Sequence, residues 1–326
     1  MKKITIASRG SKLALWQANY VADKLKLIGI DSDISVVSTQ GDRVQDRFLH
    51  EFGGKGVFVR ELEQSLAVGT ADIAVHSLKD LPATTPEGFT IPAILKRHNP
   101  HDAIIFREGV LKNPEKTPKF LSLDHFSKMR HLTIGTSSLR RQSLFKSVGN
   151  KFKLHPVRGN VDTRIRKLQE GNWDALILAA ASLERLQIDV EHRFIDLEWF
   201  VPCAAQGALA IECRKDHPLI PAIKTLSDDR SYMAAQTERM LLQKLGGDCT
   251  MPCGIHVTTS PTQTKARALI LNYQGKAARA YQQYDQDILS LGGTQIVDDL
   301  YAGLMNQNGA KILKEISENT PDLGKI

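Results

Sequence analysis

Short apolar runs alternate along this chain with stretches whose apolar residues recur at helical spacing. Residues 3–8 read as a buried strand, and Ser11 then caps an amphipathic helix carrying Leu13, Trp16, Tyr20, Val21 and Leu25 on one side. The same grammar follows at 34–38 (strand), 57–67 (helix) and 71–77, a strand that ends in polar residues before a turn at Pro82. Strand-then-helix units of this kind predict a mostly parallel sheet with helices on both faces.

The polar stretch 97–102, built around Pro100, is poor core material and reads as a crossover between domains. Strands are expected again near 132–135, 152–157 and 174–179, each followed by a helix. Beyond about residue 215 the order changes: a long helix at 231–245, a Gly-rich turn, alternating segments at 254–259, 266–273 and 277–284, then helices. Strands grouped ahead of helices suggest a small α+β domain. Residues 113–118 read as a surface excursion, and no solenoid-period repeat interrupts the pattern.

Composition narrows the class. The 326 residues, 42% hydrophobic and 24% charged, are enough for two or three domains with real cores. No apolar stretch reaches the roughly 18 residues of a spanning helix, and the apolar run after Lys2-Lys3 is too short for a signal peptide, so a cytoplasmic location without membrane contact is expected. The cysteines Cys203, Cys213, Cys249 and Cys253 are few and spaced unlike a zinc knuckle, so no metal is expected. A net charge of +7 favours an acidic partner, whether nucleic acid, a membrane surface or a multiply carboxylated small molecule.

Candidate chemistry lies at the strand ends. His76-Ser-Leu-Lys-Asp80 follows a predicted strand, where open α/β sheets place ligands; Lys79 and Asp80 there are an acid–base pair or a solvated turn. Gly135-Thr-Ser-Ser-Leu-Arg-Arg-Gln142 runs from a strand into a helix N-terminus, offering backbone N–H groups, hydroxyls and two guanidinium groups to an anion. Arg158-Gly-Asn-Val-Asp-Thr-Arg164 repeats that logic, and Arg185 and Arg9 hold equivalent places. Guanidinium groups at successive strand ends imply a ligand with several carboxylates or phosphates. Nucleic acid is not expected, since no aromatic platform accompanies them. Gly53-Gly-Lys-Gly56 lacks the phosphate-loop pattern and reads as a mobile loop bearing Lys55.

Taken in order, these segments resemble the porphobilinogen deaminase family over nearly the whole chain. The resemblance is carried by Arg9, Ser11 and Ala14-Leu-Trp-Gln17, by residues 53–56, 71–80, 135–142 and 158–164, and by Gln206-Gly207 and Cys249-x-x-Pro252. It implies an α/β fold of two periplasmic-binding-protein-like domains with a third small α+β domain: residues 1–98 with 199–216, residues 99–198, and residues 217–326. It further implies a monomeric transferase that condenses four porphobilinogen molecules, releasing ammonia, on a dipyrromethane cofactor joined by a thioether to Cys249.

By residue-by-residue matching, Asp80 would be catalytic and would stabilise the azafulvene cation left when ammonia departs. Lys79, Asp80, Thr136, Ser138, Arg140, Arg141 and Arg164 would hold the cofactor; Arg9, Ser11, Gln17, Arg158, Arg164 and Arg185 would position substrate. Three residues depart from the family's usual pattern: Arg60 in place of Lys, Ala205 in place of Gly, and Asp248 in place of Gly. A non-enzymatic solute-binding receptor of related fold is the rival from another class.

Overall fold

The computed structural model describes residues 3–37, 59–247 and 251–319; Lys55 and Cys249 lie outside them. The first sheet has the order β2-β1-β3-β11-β4. Its strands are β1 (Ile4–Ser8), β2 (Ser32–Val36), β3 (Ile73–Ser77), β4 (Phe89–Ile94) and β11 (Leu209–Arg214). Period-two alternation sends Ile4, Ile6, Ile73 and Val75 to one face, against helix α1 (Lys12–Leu27), and Ala7 and Ala74 to the other, against helix α2 (Arg60–Ala67). Ser11 caps α1 as its sequence predicts, its side chain accepting from the Ala14 N–H.

The second sheet has the order β6-β10-β5-β9-β7-β8. It comprises β5 (Asp102–Phe106), β6 (Phe120–Leu121), β7 (Leu132–Gly135), β8 (Phe152–His155), β9 (Ala175–Ala179) and β10 (Arg193–Ile195). Helices α3 (Leu139–Lys146), α4 (Val161–Gln169) and α5 (Ala180–Leu186) follow β7, β8 and β9. The third sheet is an antiparallel meander of β12 (Cys253–Thr259), β13 (Thr264–Leu271) and β14 (Ala277–Tyr284), backed by helices α6 (Asp229–Lys244), α7 (Gly293–Asn306) and α8 (Gly309–Glu318).

The α/β class is as expected, and each sheet is mostly parallel with one strand reversed. β11 returns late in the chain and pairs antiparallel with both β3 and β4, and β5 pairs antiparallel with β9 and β10, so both sheets are mixed. Each sheet gains a strand delivered by the opposite crossover, and a strand arriving from that end runs against its neighbours. The polar segment 97–102 links the first sheet to the second, and its last residue, Asp102, opens β5 and is 0% exposed, with two arginines neutralising it.

Candidate active site

The strand ends of the first two sheets face one another. After β3 the chain makes a single 3-10 turn, Leu78–Asp80, which buries Leu78 and leaves the Asp80 carboxylate exposed. A pocket there is lined by Arg9, Ser11, Gln17, Ser77 and Asp80. Gln17 is buried on α1 and donates through Nε2 to the Ser77 hydroxyl at 2.8 Å. Arg185, on α5 of the second sheet, reaches across to donate to the same hydroxyl (3.4 Å) and to the Gly207 carbonyl (2.8 Å). Its Nε has no hydrogen-bond partner among the described residues. Lys12 and Asp162 add an exposed ion pair between α1 and α4 at 3.1 Å.

Burial pushes the Arg185 guanidinium down to about 10, and Asp80 is the foremost charge opposing that fall. Arg164, on α4, donates from Nε to the Gly159 carbonyl at 2.7 Å. It is likewise pushed down to about 10, by burial and then by the neighbouring charge of Arg141, with Asp80 again opposing. Arg164 thus feels the like charge of Arg141, and both Arg164 and Arg185 feel the opposite charge of Asp80. Arg158 lies half-buried at the turn that follows β8.

The hydroxyls at the start of α3 serve the backbone. Ser138 is the N-cap, accepting from the Arg141 N–H at 3.5 Å, and the buried Thr136 hydroxyl accepts from the Ser138 N–H at 3.3 Å. The two arginines that follow converge on Asp102. Arg140 donates to Asp102 (2.8 Å) and to the Val201 carbonyl (2.9 Å), and its guanidinium lies over the Phe200 ring; its Nε lacks a partner among the described residues. Arg141 donates from Nε to Asp102 (2.9 Å) and from Nη1 to the Ile177 carbonyl (2.9 Å). Burial alone would raise the Asp102 pKa, but Arg140 and Arg141 outweigh it and hold the carboxyl below its ordinary range.

Asp102 and Glu238 escaped the sequence reading, and Gln206 entered it only within the Gln206-Gly207 word, with no role attached. Asp102 had a signal, a carboxylate opening the otherwise apolar run Asp102-Ala-Ile-Ile-Phe106. Glu238, on α6, is fully buried and accepts from Arg97 (2.6 and 3.0 Å), Ala205 N–H (2.6 Å) and Val257 N–H (2.7 Å). Its neighbours in sequence read as an ordinary amphipathic helix face, so nothing marked it.

Residues 4–221 match the family model described as porphobilinogen deaminase, dipyromethane cofactor binding domain. The chain belongs to the porphobilinogen deaminase family. It is 39% identical over 320 residues to the porphobilinogen deaminase of Brevibacillus brevis, covering 97% of this chain and 99% of that one. Those of Sulfurimonas denitrificans and Burkholderia ambifaria are 40% and 42% identical over 79% and 78% of this chain, and over 80% and 74% of their own. Membership in the porphobilinogen deaminase family favours an enzyme over the solute-binding receptor. Among the described residues no helix is long and apolar enough to cross a membrane.

Proposed function

We propose that this chain joins porphobilinogen units head to tail, with loss of ammonia at each step, and releases a linear tetrapyrrole. The observation that carries the reading is the group of guanidinium ions around one carboxylate, Asp80, at the facing strand ends. Each porphobilinogen brings two carboxylates, and a cleft where cations crowd each other is suited to a polyanion. The partnerless Nε of buried Arg140 and the depressed pKa of Arg164 fit a site that also holds a dipyrromethane. That group, when bound, supplies the pyrrole carbon to which the units are added.

In this reading Arg9, Ser11, Gln17, Arg158 and Arg185 seat the substrate carboxylates, and Arg164 serves substrate and cofactor. Lys79, Thr136, Ser138, Arg140 and Arg141 form the cofactor side. Asp80 faces the pyrrole nitrogen, its negative charge stabilising the cation produced when the aminomethyl nitrogen departs as ammonia, and it holds the pyrrole N–H in place. The division into residues 1–98 with 199–216, 99–198 and 217–326 belongs to the same reading, supported by β11 lying between β3 and β4. So do a cytoplasmic location and a monomer.

Cys249 is the proposed attachment point. Cys253 opens β12 and is buried, and burial pushes the Cys213 thiol up to about 12, so neither is a ready nucleophile. Intact mass tests the whole scheme. The purified protein is expected to exceed its sequence mass by one dipyrromethane, Cys249→Ser to sit at bare mass without activity, and Cys253→Ser to keep the adduct. Asp80→Asn should keep the adduct and lose on the order of a hundredfold or more in turnover. A wild-type protein at bare mass that consumes no porphobilinogen would sink the reading.

A further inference from the structure

Gln206 belongs to a sequence word that the proposed mechanism leaves without a role. Its side chain is 0% exposed, yet all its hydrogen-bonding capacity is used. Nε2 donates to the Pro100 carbonyl at 2.8 Å and to Asp102 Oδ1 at 3.3 Å. Oε1 accepts from Lys79 Nζ at 3.5 Å and from Cys203 Sγ at 3.5 Å. Acceptors face the NH2 and donors face the oxygen, so reversing the amide would oppose like with like at the Pro100, Asp102 and Lys79 contacts.

The four partners come from separate places in the fold. Lys79 is in the turn beside Asp80, Pro100 and Asp102 close the first crossover and open β5, and Cys203 is in the second crossover, the segment that returns the chain from β10 to β11. The backbone enforces the inward aim. Ala205 (φ 60°) and Gly207 (φ 87°) flank Gln206 in left-handed conformations, and its carbonyl accepts from Arg97 Nε at 2.7 Å. Asp102 is itself the shared counter-ion of Arg140 and Arg141. A contact path therefore runs Lys79, Gln206, Asp102, Arg140 and Arg141, from the first sheet's strand end to the second's.

We propose that Gln206 is a positioning residue that ties the Lys79–Asp80 turn to the Asp102–Arg140–Arg141 cluster. It thereby fixes how far the carboxylate of one sheet stands from the guanidinium groups of the other. The idea rests on the roles given above to Lys79 and Asp80. A residue that merely filled the core would affect every lysine and every genetic background alike; a tether acts through Lys79.

Two measurements separate these cases, on Gln206→Met and, should that variant misfold by circular dichroism, on Gln206→Asn, which keeps an amide too short to span the gap. In trace acetylation of the intact holoenzyme, read by peptide mass, Lys79 should react roughly fivefold faster in the variant while exposed Lys26 is unchanged. In a double-mutant cycle, Gln206→Met should lower kcat/KM about tenfold in the native background and less than about twofold beside Lys79→Met. Unaltered Lys79 labelling, or an equal loss in both backgrounds, overturns the proposal. If the wild type does not turn over porphobilinogen, the functional reading fails while the labelling result still decides the tether.

Discussion

At the scale of single residues, the turn at 205–207 shows how backbone conformation and space separate two neighbouring positions. Ala205 holds φ 60°, a region that costs an L-residue about 1–2 kcal/mol. Its N–H is held by Glu238 at 2.6 Å, which compensates locally. Gly207 has no such latitude: a Cβ there would stand 2.5 Å from the His98 carbonyl oxygen, a backbone atom of the other crossover. Ala205→Gly should therefore shift unfolding free energy by less than about 1 kcal/mol, since relieved strain and added unfolded-chain entropy oppose each other. Gly207→Ala should cost more than about 2 kcal/mol, from strain plus overlap. Urea unfolding of both variants checks the contrast, and equal effects would contradict it.

At the scale of elements, α2 meets the first sheet through charges as well as leucines. Its Leu62 and Leu66 are buried, but Glu63 on the same helix approaches a buried contact between His76 of β3 and the Glu212 carboxylate of β11 (2.9 Å). Burial and then the charge of Glu212 raise Glu63 from 4.5 to about 7, with His76 and Arg60 opposing. The folded state thus holds a proton that the unfolded chain releases, so this contribution to stability is present below pH 4.5 and is lost as pH rises through 7. Glu63→Gln, which cannot ionise, should melt above the wild type at pH 8, with the gap closing towards pH 5. A gap that is constant with pH, measured by thermal melts, would show that Glu63 ionises freely in the fold.

At the scale of the molecule, Glu238 gathers both crossovers and the third sheet. It binds Arg97 from the first crossover, Ala205 from the second and Val257 of β12, with His256 at 3.4 Å. Burial would raise its pKa, but Arg97 and His256 outweigh it and hold the carboxyl at about 2. A depressed pKa stabilises the fold above the unfolded value of 4.5 and loses that stabilisation as pH falls from 4.5 through 2. Glu238→Gln should therefore destabilise by roughly 3–5 kcal/mol at pH 7, because Arg97 is left in a buried site without its counter-ion. The deficit should shrink in acid unfolding as pH approaches 2; a deficit equally large there would mean that shape rather than charge is what Glu238 supplies.

The sequence by itself determined the local elements and the chemistry at their ends. Apolar runs in residues 4–8 and 73–77, the Ser11 cap, and arginines after successive strands are properties of short windows, fixed by side-chain period and capping geometry. The family words gave Asp80 and its neighbours as the candidate site, which the fold then brought to facing strand ends. Only the tertiary structure decided that β11 runs antiparallel between β3 and β4, that Arg140 and Arg141 share Asp102, and that Glu238 clasps both crossovers. Those pairings join residues 38, 39 and 141 positions apart, or strands separated in the chain by the whole second sheet. No local period encodes them: a buried carboxylate is tolerable only where the folded chain delivers its counter-ions, and that delivery exists only once the chain has folded.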